Sequence, residues 1–156
     1  MLFMLLFHYM QTGKMPKALE VVQMMEDSGV PQNRLTYTML INGYVLKDDS
    51  ANGFKVFEAM MKARLKPDAI TYNVLISAFC KNKQIDRALG LLSKMEKEGL
   101  KPTPESFTII MDAFVKSGDL QMALKMINDM RKAGCPPSRV TYNVLINGLM
   151  QEGKVC

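Results

Sequence analysis

The sequence predicts an all-α protein: a right-handed superhelical solenoid of antiparallel helix-turn-helix repeats, each 35 residues long. Three observations predict it. The hexapeptide Thr-Tyr-Asn-Val-Leu-Ile stands at 71–76 and again at 141–146, an offset of twice 35. Looser copies, beginning at Thr36 and Ser106, fill the same phase between and before them. Within each period apolar residues recur at helical spacing in two separate runs, and no segment alternates with period two.

The first helix of a repeat is carried by Tyr72, Leu75, Ile76 and Phe79, which fall at i, i+3, i+4 and i+7 and so form one apolar stripe. The second is carried by Ile85, Ala88, Leu89, Leu92 and Met95. Polar turns such as Lys81-Asn82-Lys83 and Lys116-Ser117-Gly118-Asp119 join the two. Asp119 is placed to cap the second helix of its repeat. Gly99 and Gly134 stand where that helix should stop, with Pro102 and Pro136 soon after. Arg64 holds the corresponding stop one period earlier, where a left-handed backbone would cost a side chain about 1 kcal/mol.

Other positions keep the step. Small residues recur at Ala18, Gly53, Ala88 and Ala123, which lets neighbouring helices approach closely. Met25, Met60, Met95 and Met130 share a phase and read as packing rather than as a ligand set. Glu20, Glu26 and Asp27 are expected to face solvent. A helix pair cannot bury its stripe alone, so the pairs must stack on their neighbours. The expected organisation is one solenoid over 1–156: a partial repeat at 1–33, complete repeats at 34–68, 69–103 and 104–138, and a partial repeat at 139–156.

The same register reads the ends. Residues 1–10 align with 71–80, so the apolar start is expected to be a first helix. It is too short for a membrane span, which needs about 20 apolar residues, and has no basic region of the kind that opens a signal peptide. No membrane partner is expected. The final helix is expected to begin at Val140, and the chain to be a segment of a longer array.

Composition narrows the function. Nearly half the residues are apolar, enough to support a packed core. The net charge of +5 permits a polyanionic partner without requiring one. Cys80, Cys135 and Cys156 include no CxxC pair, and with one histidine, His8, they read as reduced thiols rather than a disulfide framework or a metal site. No nucleophile with a base and no glycine-rich phosphate loop stands out. The sequence is therefore not expected to be an enzyme or to carry a cofactor or metal.

The constant 35-residue period, with Ile70-Thr71-Tyr72-Asn73-Val74-Leu75-Ile76 and Gly99-Leu100-Lys101-Pro102, resembles the pentatricopeptide repeat family, in its pure P-type class. The likeness spans essentially the whole chain. It implies stacked antiparallel helix pairs that bind single-stranded RNA about one base per repeat. It further implies a mitochondrial or plastid setting, where family members stabilise, splice, process or translate transcripts. Protein partners within a larger ribonucleoprotein or enzyme complex are also implied.

The resemblance also implies the residues. The family reads a base with one residue of the first helix and the last residue of the repeat. Here these are Thr38 with Asp68, implying guanine; Asn73 with Thr103, implying a pyrimidine, cytosine first; and Thr108 with Ser138, implying a purine, adenine first. Asn143 opens a further pyrimidine reader. Asn33 would pair with Phe3, which does not fit the code. The family sandwiches each base between aliphatic residues, here Leu35, Ile70 and Val140, with Glu105 departing from the pattern. Lys81 and Lys116 stand where the family contacts phosphate, while Leu46 and Gln151 at that phase carry no charge. Short amides and hydroxyls suit the edge of an unpaired base. Each group also has a plainer reading: asparagines on a solvated helix face, lysines as ordinary turn charges, aliphatics as core. The competing function is a helical-repeat scaffold for protein–protein interaction.

Overall fold

The computed structural model describes residues 2–30 and 33–151. Among these it has nine α-helices and no strand: α1 Leu2–Gln11, α2 Met15–Asp27, α3 Arg34–Leu46, α4 Ser50–Lys62, α5 Ala69–Lys81, α6 Ile85–Lys97, α7 Pro104–Lys116, α8 Leu120–Lys132 and α9 Arg139–Gln151. The helices beginning at 34, 69, 104 and 139 step by 35, as do those beginning at 15, 50, 85 and 120. Their ends keep the same step. The expected helix pairs are therefore present, and α1 is a first helix as the register requires. Cys156 lies outside the described residues.

Local chemistry sets the boundaries. Asp119 caps α8 by accepting the Met122 N–H at 3.2 Å, and Asp49 caps α4 by accepting the Asn52 N–H at 3.2 Å. The α9 helix starts at Arg139, one residue before the expected Val140, because Ser138 outside it supplies the capping oxygen. The second helices stop at left-handed residues, Gly29, Arg64, Gly99 and Gly134, with φ of 74°, 60°, 81° and 79°. A second left-handed series, unread in the sequence, closes the turn inside each repeat at Gly13, Asp48, Lys83 and Gly118.

The contacts group the chain into two compact units, residues 1–75 and 76–156. In the first, α1 packs on α2 and α3, and α3 on α4. Leu6, Met25, Ile41, Phe57, Met60, Tyr72 and Leu75 are sealed from solvent. The Tyr72 ring meets Phe57 edge to face at 5.1 Å. In the second, α7 packs on α8 and α9, and α6 on α7. Phe79, Met95, Phe107, Ile110 and Met130 form its buried centre. The Arg87 guanidinium lies 4.6 Å over the Phe79 ring.

The periodic residues fall where packing needs them. All four methionines of the 25, 60, 95, 130 series are fully buried, as are Ala18, Ala88 and Ala123. A second small series that the sequence reading passed over, Gly43, Ala78, Ala113 and Gly148, is buried as well. Glu20, Glu26 and Asp27 are exposed. Among the described residues no helix is long and apolar enough to cross a membrane.

Candidate nucleic-acid interface

The last residue of each repeat is also the N-cap of the next helix. Asn33 accepts the Thr36 N–H at 3.1 Å. Asp68 accepts the Thr71 N–H at 3.0 Å, and Thr103 accepts the Ser106 N–H at 3.3 Å in a capping box. Ser138 accepts the Thr141 N–H at 3.4 Å. A cap has one free helix end to satisfy and a fixed extended backbone, so these side chains are held at a set place rather than left to wander.

Opposite each cap, three positions on, stands a hydroxyl with no solvent exposure: Thr36, Thr71, Ser106 and Thr141. In the first unit Thr71 donates its hydroxyl to Asp68 Oδ1 at 2.9 Å and meets the Thr38 hydroxyl at 3.3 Å. In the second unit the Thr141 hydroxyl lies 3.2 Å from Ser138 Oγ and 3.4 Å from Thr108 Oγ1. Thr38 and Thr108 each also donate to the carbonyl four residues earlier, Arg34 and Pro104, at 2.8 and 2.7 Å. Two of the residue pairs singled out in the sequence are thus brought together, each through one buried hydroxyl. The signal for it was present in the sequence: a capping residue followed three positions later by Ser or Thr.

Each pair opens into a cleft. The first, about 510 Å³, is lined by Asn33, Arg34, Leu35, Thr38, Asp68 and Ile70. The second, about 540 Å³, includes Glu105, Thr108, Ser138 and Val140. Leu35, Ile70 and Val140 are 56%, 66% and 62% exposed. That exposure decides against the plain-core reading of these aliphatics, since core residues here lie below a tenth. Glu105 sits in the second cleft, in the place an aliphatic residue holds in the first.

Asn73, in the first unit, is 8% exposed on α5, against the solvated face that the plainer reading gave it. Thr103, in the second, heads α7. Asn143 is exposed on α9. Lys81 and Lys116 line one cleft of about 780 Å³, with Lys83, Cys80 and Asp112 among its walls. Lys116 is paired with Asp112 at 2.8 Å, four residues apart on one helix, and this hydrogen-bonded carboxylate pushes the ammonium pKa up. Burial, with the Asp112 charge adding to it, pushes the Cys80 thiol up to about 11, so it stays protonated at neutral pH.

Asp68 is the acidic group of the first cleft. Burial alone would raise its carboxyl pKa, but the Thr71 N–H, the Thr71 hydroxyl and the Arg34 charge together hold it below the ordinary carboxylate value. It is therefore ionised at neutral pH and can only accept hydrogen bonds. Among the described residues no group of three or more His, Cys, Asp or Glu side chains is placed to hold a metal ion.

The PPR repeat family matches four overlapping segments, residues 4–46, 36–81, 67–116 and 105–151. The chain belongs to the PPR repeat family. Its fold is that of solved PPR proteins. The PPR protein PPR10 from maize superposes with a TM-score of 0.78 at 28% identity, over 88% of this chain and 20% of that one. PPR10 in complex with an 18-nucleotide psaJ RNA element gives 0.77 at 24% identity, over the same shares. The PPR domain of Arabidopsis thaliana protein-only RNase P 1, in complex with tRNA, gives 0.79 at 18% identity, over 98% and 81%. These 156 residues thus span about a fifth of the maize protein's length. No curated protein matches the sequence significantly.

Proposed function

We propose that these PPR repeats bind single-stranded RNA, about one base per repeat, in organellar transcript metabolism. They hold the RNA and do not cut or join it. The observation that carries the reading is the repeated cleft: a polar pair at the floor, with exposed aliphatic residues at the rim. An exposed aliphatic side chain beside a polar pair offers the face of a base a surface to pack on while its edge is hydrogen-bonded. Maize PPR10 and the Arabidopsis PPR domain, both seen with RNA, support the same reading.

By the family code the order along the chain is guanine at Thr38 and Asp68, then cytosine at Asn73 and Thr103. Adenine follows at Thr108 and Ser138, then a pyrimidine at Asn143. Lys81 and Lys116 face the phosphates. Stacking contributes about 1–3 kcal/mol per base, so a register of three or four bases binds weakly. Salt weakens it further as counterion release loses its advantage.

The test is fluorescence anisotropy of labelled single-stranded RNA carrying G-C-A-C at this register, with scrambled RNA and the DNA version as controls. Salt-sensitive preference for the matched RNA is expected. Equal binding of all RNAs would reduce the function to charge attraction alone. No binding at low salt would overturn the reading in favour of a protein-interaction scaffold.

A further inference from the structure

We infer that Thr71 and Thr141 are positioning residues for base choice: each buried hydroxyl turns its one proton to the cap residue beside it, and so fixes whether that cap faces the base only as an acceptor or can release a donor to it. The inference rests on the RNA-binding reading above.

A hydroxyl has one proton to give and two lone pairs. Both bridging threonines have no solvent exposure, so water cannot take a share. In the first cleft the carboxylate of Asp68 accepts only, and it takes the Thr71 proton at 2.9 Å. With the Thr71 proton spent, the single Thr38 proton goes to the Arg34 carbonyl at 2.8 Å or across the 3.3 Å contact to Thr71 Oγ1. Either way the Thr38 proton stays inside the protein. The cleft presents two acceptors, Thr38 Oγ1 and the Asp68 carboxylate. The Watson–Crick edge that offers two adjacent donors, N1–H and the exocyclic amine, is guanine's.

The second cleft has the same spacing and a different ledger. Ser138 brings its own proton, and its backbone N–H already donates to Thr141 Oγ1 at 3.1 Å. Thr141 can give its proton to Ser138, 3.2 Å away, which releases the Ser138 proton toward the cleft. The Thr108 proton meanwhile has the Pro104 carbonyl at 2.7 Å. The cleft then offers one donor and one acceptor side by side. Adenine, with N1 accepting and its exocyclic amine donating, fits that pattern. The base is thus selected by the cap residue acting through the bridging hydroxyl, not by two side chains acting independently.

The experiment is an NMR titration of the full chain with tetranucleotide RNAs that differ in the base at each cleft. Wild type is expected to prefer guanine at the first cleft by about tenfold, the scale of one hydrogen bond to a charged group. Thr71→Val removes the hydroxyl but keeps the backbone N–H that Asp68 caps. It is expected to cut that preference to below about threefold, and Thr71→Ser to restore it. Ser138→Asp is expected to turn the second cleft from adenine to guanine, and Ser138→Asp with Thr141→Val to leave it without preference. This second pair of variants keeps the test decisive if Thr71→Val does not fold, as melting curves will show. Wild-type preference that survives Thr71→Val, or a full switch in the double variant, would overturn the hydroxyl relay and leave the RNA reading standing. Wild type that binds with no preference at either cleft would overturn the relay alone, and wild type that binds no RNA at low salt would take down both.

Discussion

The hydroxyl chains of the two units share a geometry and differ in one charge. In the first, the hydroxyl chain Thr38–Thr71 ends on the carboxylate of Asp68; in the second, Thr108–Thr141 ends on the hydroxyl of Ser138. The oxygen spacings agree within a few tenths of an ångström, so the helices deliver the same geometry twice. What changes is the number of protons in the chain. Repetition therefore builds the site, and a single side chain at the repeat boundary gives each copy its character.

The largest effect should come from the buried packing of each unit. Leu75 and Ile110 occupy the same phase and have no solvent exposure. Leu75→Asp or Ile110→Asp loses apolar packing and buries a carboxylate, and each should destabilise the chain by more than about 3 kcal/mol. Far-UV circular dichroism melts read this directly. A melt unmoved by one of these changes would mean that the cleft of that unit does not stand on buried packing.

Next in size is the difference between the two caps. Asp68→Ala should cost about 1.5 kcal/mol, and Ser138→Ala about 0.5 kcal/mol, because a charged cap at 3.0 Å outweighs a neutral one at 3.4 Å. The Asp68 carboxyl pKa is lowered in the fold from 3.8. A depressed folded pKa gives stability that is present above the unfolded value and lost as pH falls through the folded one. The gap between wild type and Asp68→Ala should therefore be full at pH 6 and shrink below about pH 4. The Ser138→Ala gap should show no such step. Chemical denaturation at three pH values separates the two, and equal behaviour of both caps would remove the charge from the comparison.

Much of this was legible before any coordinates. A period kept without insertion places every helix boundary at once, which is why Asp119, Gly99, Gly134 and even left-handed Arg64 are readable from phase alone. The candidate reader positions Thr38, Asp68, Thr108 and Ser138 were likewise chosen by phase, once the family was seen, and the structure brings them together in pairs. The bridging hydroxyls did not. Thr71 and Thr141 sit inside the repeated Thr-Tyr phrase, where periodicity makes a residue look like scaffold. Their partners across the repeat lie 33 residues away, a separation that helix spacing within one segment does not reveal. The Lys116–Asp112 pair was open to reading, being four apart on one helix, and phase comparison hid it because position 77, one period before Asp112, is a serine.

That pair gives a smaller test, within one cleft of the second unit. The two lysines keep the same phase, but Lys116 already holds a carboxylate at 2.8 Å. Lys81→Ala should weaken RNA binding about threefold to fivefold at moderate salt and reduce the slope of log affinity against log salt by about 0.7. Lys116→Ala should do less, and Asp112→Asn should strengthen binding by freeing the lysine. Equal losses for the two lysines would show that the ion pair does not compete with phosphate.

A last effect, confined to the backbone, lies at the repeat boundary itself, where one helix stop of the first unit differs from its counterpart in the second. The first unit stops α4 on Arg64 at φ 60°, and the second stops α6 on Gly99 at φ 81°. A Cβ added at Gly99 would meet nothing within 4 Å, so Gly99→Ala reports backbone strain alone and should cost about 1 kcal/mol. Arg64→Gly removes the same strain but frees the unfolded chain, which returns part of the gain. The net should be a stabilisation of about 0.5 kcal/mol, a rise of a few degrees or less in melting temperature. The two substitutions are mirror images of one cost. If Gly99→Ala destabilises while Arg64→Gly also destabilises, the arginine side chain must make up its strain through contacts of its own, and the boundary would then distinguish the units by side-chain packing rather than by backbone conformation.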